Sequence, residues 1–309
     1  RKVGEVRAVD DVDLSIPEGE TVGLVGESGC GKTTLGRCVM KLYDTTAGKI
    51  LYRAVDGTVT DVAALTDRQM VPYRKDLQVI FQDPYSSLDP RMTVLDIIGE
   101  PILYLKQGDV RDRVKSLMVE VGLEMKHMNR YPHAFSGGQR QRIGIARALA
   151  TEPRFIVADE AVSALDVSIQ AQIINLLKEL QGKHSLTFLF ISHDLSVVQH
   201  ICDKVAVMYV GVLFELGETV EMFSKPRHPY TEALLSSVPT VDLKTKMNRI
   251  ILPGDVANPA NPPGGCYFHP RCKYCIPLCR EERPAWKEVG SGHYAACHRS
   301  DELDLKGVY

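Results

Sequence analysis

The chain has 309 residues, 44% of them hydrophobic and 25% charged, a globular composition that excludes a disordered, collagen-like or low-complexity polypeptide. Thirty-seven basic against thirty-nine acidic residues give a formal net charge of -2, so there is no bulk electrostatic reason to bind nucleic acid or an anionic membrane. The longest apolar stretches, such as residues 186–191, fall far short of the roughly 18–20 residues that cross a bilayer.

Val12, Leu14 and Ile16 alternate with polar residues and predict a first strand. Residues 21–25, after the turn signal Pro17-Glu18-Gly19, predict a second. A glycine-rich loop follows, then a helical pattern over 32–40 and strands over 49–53 and 77–81. Residues 84–150 change character, with helical periodicity at 94–105 and 110–121 and no convincing strand, which reads as a helical insertion. Strand patterns return at 154–158, 186–191 and 204–209, separated by helical stretches at 168–180 and 194–202. Alternation of this kind predicts an α/β fold with a mostly parallel sheet. After about residue 224 the composition shifts: Pro and Gly crowd 253–265, and five of the eight cysteines follow, so a separate small C-terminal domain is expected there.

Gly26-Glu27-Ser28-Gly29-Cys30-Gly31-Lys32-Thr33, with Thr34 behind it, fits the phosphate-loop pattern G-x-x-x-x-G-K-[ST] between a predicted strand and a predicted helix. Such a loop aims backbone N–H groups and a helix N-terminus at phosphate oxygens. Lys32 would reach the outer phosphates and the Thr33 hydroxyl would ligate magnesium. The metal also needs a carboxylate on a later strand, and the apolar run 154–158 ends in Asp159 and Glu160. Asp159 is placed toward the metal and Glu160 where it could polarise an attacking water.

Phe135-Ser136-Gly137-Gly138-Gln139-Arg140-Gln141-Arg142 resembles the signature of ATP-binding cassette (ABC) ATPases. Gln82 looks like that family's Q-loop, Ser163-Ala164-Leu165-Asp166 like its D-loop and His193 like its switch histidine, all in the family's order. The resemblance implies a phosphate-loop core with an antiparallel β subdomain and a helical subdomain. The ATPase would span residues 1–225, with 1–84 and 151–225 as core and 85–150 as the helical subdomain. It also implies a second ATPase subunit, such that each ATP sits between the phosphate loop of one subunit and Ser136, Gly137, Gly138 and Gln139 of the other. Asp166 would border the nucleotide, Gln82 would join Thr33 and Asp159 at the magnesium, and Lys32, Gln82, Glu160 and His193 would form the catalytic set. The family's adenine-stacking aromatic has no counterpart in residues 1–9, where Val3 is nearest by spacing.

Gln82-Asp83-Pro84-Tyr85-Ser86-Ser87-Leu88-Asp89-Pro90-Arg91, Arg227-His228-Pro229-Tyr230-Thr231 and Cys266-Tyr267-Phe268-His269-Pro270-Arg271-Cys272 are similar to segments of the oligopeptide and dipeptide importer ATPases. That subfamily implies energising of peptide uptake at the cytoplasmic face of the membrane. Its partners would be two permeases, a substrate-binding protein and another ATPase, as a heterodimer or a homodimer; a nickel or glutathione importer is the neighbouring alternative. A non-transport ABC ATPase acting on nucleic acid, or a redox sensor, is the alternative of another class.

Thiolates clustered in a loop-rich segment suit soft metals, either zinc or an iron–sulfur cluster, and metal-free thiols or a disulfide are the remaining reading. The subfamily resemblance implies Cys266, Cys272, Cys279 and Cys297 as ligands of a 4Fe-4S cluster within residues 226–309. Cys275, in C-x-x-C spacing with Cys272, is the rival ligand.

Overall fold

The structure is a computed structural model that describes residues 6–106, 108–238 and 249–308. Its elements in chain order are β1 (Thr21–Val25), α1 (Lys32–Val39), β2 (Leu51–Arg53), β3 (Val59–Asp61), α2 (Asp67–Met70), β4 (Leu77–Ile80), α3 (Val94–Tyr104), α4 (Val110–Glu120), α5 (Gly137–Leu149) and β5 (Phe155–Asp159). They continue as α6 (Val167–His184), β6 (Thr187–Ile191), α7 (Leu195–Ile201), β7 (Lys204–Tyr209), β8 (Val212–Glu218), α8 (Thr219–Ser224), α9 (Pro229–Leu235), α10 (Leu278–Glu281), β9 (Lys287–Gly290) and β10 (His293–Ala295). They fall into two compact units. One draws on residues 17–19 and 36–189, the other on 1–16, 20–35 and 190–309.

In the first unit β4 and β5 pair in parallel, from Leu77 opposite Phe155 to Ile80 opposite Ala158, and β6 lies beside β5. β2 and β3 form a separate antiparallel hairpin. Helices α3, α4 and α5 pack together on apolar faces that bury Ile97, Ile98, Val114, Leu117, Ile143 and Ile145. Their starts are set by local chemistry. Thr93 and Asp96 close a capping box on α3, and Asp109 accepts from the Asp112 N–H at the start of α4. Among the described residues between 84 and 150 there is no strand, as the periodicity anticipates.

In the second unit the strand order is β1-β7-β8-β10-β9. β1 runs parallel to β7, from Val22 opposite Lys204 to Val25 opposite Val207, and the remaining pairs are antiparallel. Val210 (φ 43°) and Gly211 (φ 82°) make the two-residue turn between β7 and β8, where positive φ at both positions matches the twist of a hairpin. A buried aromatic cluster of Tyr209, Phe214, Tyr230 and Phe268, with ring centroids 4.8–6.4 Å apart, fills the space beside β7 and β8.

Two expectations are corrected. Residues 12–16 take no strand: Val12, Leu14 and Ile16 are the more covered positions of that stretch, so the alternation records which side is shielded and not membership of a ladder. The C-terminal segment is also no separate domain beginning at residue 226. Tyr294 and Ala295 of β10 pair with Leu216 and Glu215 of β8, and Tyr230 and Phe268 complete the aromatic cluster, so the segment is built into the unit that carries β1. The change in composition marks a loop-rich part of one core.

Candidate nucleotide site

The phosphate loop connects β1, buried along its whole length, to α1. Two of its glycines are fixed by close approach. A Cβ on Gly26 (φ 152°) would lie 2.1 Å from the Met208 carbonyl oxygen, and one on Gly31 (φ 108°) would lie 2.0 Å from that of Ala8. The loop can therefore fold this tightly only because those side chains are absent. Lys32 opens α1 and is 5% exposed. Its ammonium donates to the carbonyl oxygens of Gly26 at 2.7 Å and Glu27 at 3.0 Å, a position from which it can swing onto an entering phosphate. Burial pushes the Cys30 thiol up, which suits a small filler and not a nucleophile.

Glu27 is held from the far end of the sequence. Its N–H donates to the Tyr230 hydroxyl at 2.8 Å, and its carboxylate accepts from both terminal guanidinium nitrogens of Arg271, at 2.6 and 3.1 Å. No local pattern reveals these two partners, because they lie 203 and 244 residues away. His193 is exposed in the turn between β6 and α7, where Asp194 caps α7 by accepting from the N–H groups of Ser196 and Val197.

The other expected residues belong to the first unit. Gln82 lies just past β4 and donates through Nε2 to the Glu160 carboxylate at 2.7 Å. Asp159 is the buried end of β5, 5% exposed. Glu160 takes φ 47°, an uncommon conformation for a residue other than glycine, and its carbonyl accepts from the N–H and hydroxyl of Ser163. Asp166 caps α6 by accepting from the Ile169 N–H at 3.0 Å, and that bond holds its carboxyl below the usual range. Ser136 caps α5 in a capping box with Gln139, so Gly137 and Gly138 form the first turn of a 13-residue helix. A Cβ on Gly138 would stand 2.5 Å from Ile169 Cγ2, which explains a glycine where α5 meets α6. Arg147 donates to the Ser87 carbonyl at 2.7 Å, and the Arg140 guanidinium lies 3.9 Å above the Tyr85 ring. Both tie the long segment after Gln82 to the signature helix. Val3 lies outside the described residues.

Cys266, Cys272, Cys279 and Cys297 line one small cavity, together with Phe268 and His228, whereas Cys275 is not in its wall. All four are free thiols. Burial raises Cys266 to about 12 and Cys272 and Cys297 to about 11, so these groups are protonated at neutral pH. Among the described residues no group of three or more His, Cys, Asp or Glu side chains is arranged to hold a metal ion.

A glycine-pinned phosphate loop on a parallel strand, a carboxylate pair at the end of β5 and a capped, glycine-started signature helix define a phosphate-loop nucleotide-binding protein of the cassette type. Residues 9–163 match the family described as ABC transporter, and residues 214–279 match the oligopeptide/dipeptide transporter C-terminal region. The chain is 52% identical over 303 residues to the oligopeptide transport ATP-binding protein AppF of Bacillus subtilis, covering 96% of this chain and 91% of that one. It is 50% identical over 299 residues to a putative peptide import ATP-binding protein of Brucella ovis, covering 96% and 93%. A dimeric bacterial ABC transporter cassette superposes with TM-score 0.63 at 30% identity over 71% of this chain and 94% of that one. A post-hydrolysis cassette dimer bound to ADP and phosphate does so with TM-score 0.61 at 31% identity, over 69% and 90%. The chain belongs to the ABC transporter ATPase family and carries the C-terminal region of its oligopeptide/dipeptide branch.

Proposed function

We propose that the chain binds and hydrolyses ATP to drive peptide import through membrane permeases. The observation that carries the ATPase reading is the phosphate loop itself, with its two glycine-only approaches and the Lys32 ammonium resting on loop carbonyls. The names printed for the relatives, which align along nearly the whole chain, support peptide as the cargo. The loop amides, Lys32 and Thr33 with Thr34 take the phosphates, while the hydroxyl of Thr33, the carboxylate of Asp159 and the amide of Gln82 supply hard oxygen donors suited to magnesium. Magnesium, when bound, neutralises phosphate charge. Glu160 orients the attacking water and takes its proton. Gln82, already bonded to that carboxylate, holds it in place, and His193 stabilises the terminal phosphate.

Each nucleotide is closed by a second cassette that offers Ser136, Gly137, Gly138 and Gln139, with Asp166 alongside, to its phosphate. The dimeric cassettes of the solved relatives support this arrangement, and a different ATPase is the partner we favour over a second copy. Among the described residues no helix is long and apolar enough to cross a membrane. Coupling runs to two membrane permeases. The exposed Tyr85, Leu103 and Tyr104 near α3 suit that contact from the cytoplasmic face, with a substrate-binding protein delivering cargo outside. Glu160→Gln retains ATP binding and loses turnover; normal turnover in that variant contradicts the assignment.

The cysteine cavity supports a secondary reading as a soft-metal site, a 4Fe-4S cluster in preference to zinc, with a structural role. Loading brings Cys266, Cys272, Cys279 and Cys297 onto the metal as its four sulfur ligands. Iron and labile sulfide in anaerobically purified protein support it, and protein without either refutes it.

A further inference from the structure

We propose that Arg271 is a positioning residue for the phosphate loop, which neutralises and orients Glu27 so that the loop presents no net negative charge to an incoming nucleotide. The inference rests on the phosphate loop being the ATP site. Glu27 is the second residue of that loop, and a bare carboxylate there would repel the phosphates that the neighbouring N–H groups and Lys32 attract. Arg271 answers it with a two-pronged pair, Nη1 at 2.6 Å and Nη2 at 3.1 Å, and its side chain is 8% exposed. A planar guanidinium of this kind fixes direction as well as charge.

The guanidinium is itself anchored. Nε donates to the Pro253 carbonyl at 3.2 Å and Nη1 also reaches the Tyr209 hydroxyl at 3.5 Å, so the pair is not a loose surface contact. Tyr230, fully buried, accepts from the Glu27 N–H at 2.8 Å and fixes the backbone of the residue whose side chain Arg271 holds. The C-terminal segment thus grips one loop residue by main chain and side chain together. Arg271 ends a single 3-10 turn, His269–Arg271, and is followed directly by Cys272, which lines the cysteine cavity.

The test is ATP affinity, measured by equilibrium binding of a fluorescent ATP analogue to the full chain, for wild type, Arg271→Ala, Arg271→Lys, Glu27→Gln and the double variant Glu27→Gln/Arg271→Ala. Arg271→Ala weakens binding about tenfold and Arg271→Lys recovers most of it, because the charge returns without the fork. In the Glu27→Gln background the same removal of Arg271 costs less than about twofold, since no carboxylate remains to be neutralised. A purely structural role would give the same loss in both backgrounds. That result, or an Arg271→Ala variant that binds as wild type does, overturns the inference. If Arg271→Ala fails to fold, comparing Arg271→Lys with and without Glu27→Gln decides the matter in the same way. Wild type that does not bind the analogue would instead sink the reading of the loop as an ATP site.

Discussion

Glu215 of β8 is the residue through which the C-terminal segment is most exposed to a single substitution. Its side chain is completely buried and accepts from three donors: the Arg227 N–H at 2.7 Å, the His228 N–H at 2.9 Å and His293 Nε2 at 2.7 Å. Glu215→Leu fills similar space but leaves two backbone donors and an imidazole without their acceptor. Stranding one member of a buried pair costs about 3–5 kcal/mol, and each orphaned N–H about 1–3 kcal/mol. These costs overlap, because His293 can shed its proton, so the expected loss is about 4 kcal/mol out of a typical 5–15 kcal/mol. Glu215→Gln keeps a carbonyl for one or two donors and costs about half as much. Urea unfolding followed by circular dichroism reads the difference at constant m-value. The gap also depends on pH. The Glu215 and Glu221 carboxylates hold His293 above its ordinary value against the opposing effect of burial. Its contribution is therefore complete below about pH 6.5 and lost as pH rises through the folded-state value, so the gap between wild type and Glu215→Leu narrows on the alkaline side. A loss under about 1 kcal/mol at pH 6, or a gap indifferent to pH, refutes this reasoning.

Gly31→Ala, measured by the same nucleotide binding, abolishes ATP affinity, because the new Cβ meets the Ala8 carbonyl at 2.0 Å and φ is 108°; affinity within about threefold of wild type would contradict the glycine argument. Gly138→Ala is milder, since its Cβ meets only the Ile169 side-chain carbon at 2.5 Å, and ATP turnover should fall more than thermal stability does. His228 is fully buried, and burial pushes its imidazole down to about 3. The unfolded chain takes up that proton below about pH 6.5 while the folded chain does not, so stability is lost as pH falls from about 6.5 toward 3. His228→Asn flattens that part of the urea-midpoint profile, and an unchanged slope would refute the assignment.

The parts of the protein legible in its sequence are those whose chemistry is contiguous. Residues 26–33 declare a phosphate loop because the glycines, the lysine and the flanking strand and helix are neighbours. The apolar run into Asp159 and Glu160, and the serine-glycine start of α5, are readable for the same reason. Periodicity also places α3, α4 and α6 within a few residues of their observed ends. What fails is what depends on distant partners. The alternation at 12–16 could not say whether a ladder existed, and β8 is hidden behind a turn whose two positive φ values leave little mark in Val210. β9 and β10 are recognisable only through their pairing with β8, and a run of Pro, Gly and Cys therefore passes for a separate domain. The grip of Tyr230 and Arg271 on Glu27 has no local signature at all.

The central claim is that hydrolysis at this chain drives peptide import. Its most direct test is ATP-dependent uptake of a labelled oligopeptide into membrane vesicles that contain the chain with its permeases and partner ATPase, comparing wild type with Glu160→Gln. The account predicts uptake with wild type and none with the variant, while both bind ATP; uptake that persists with Glu160→Gln, or wild-type vesicles that hydrolyse ATP without moving peptide, would contradict it.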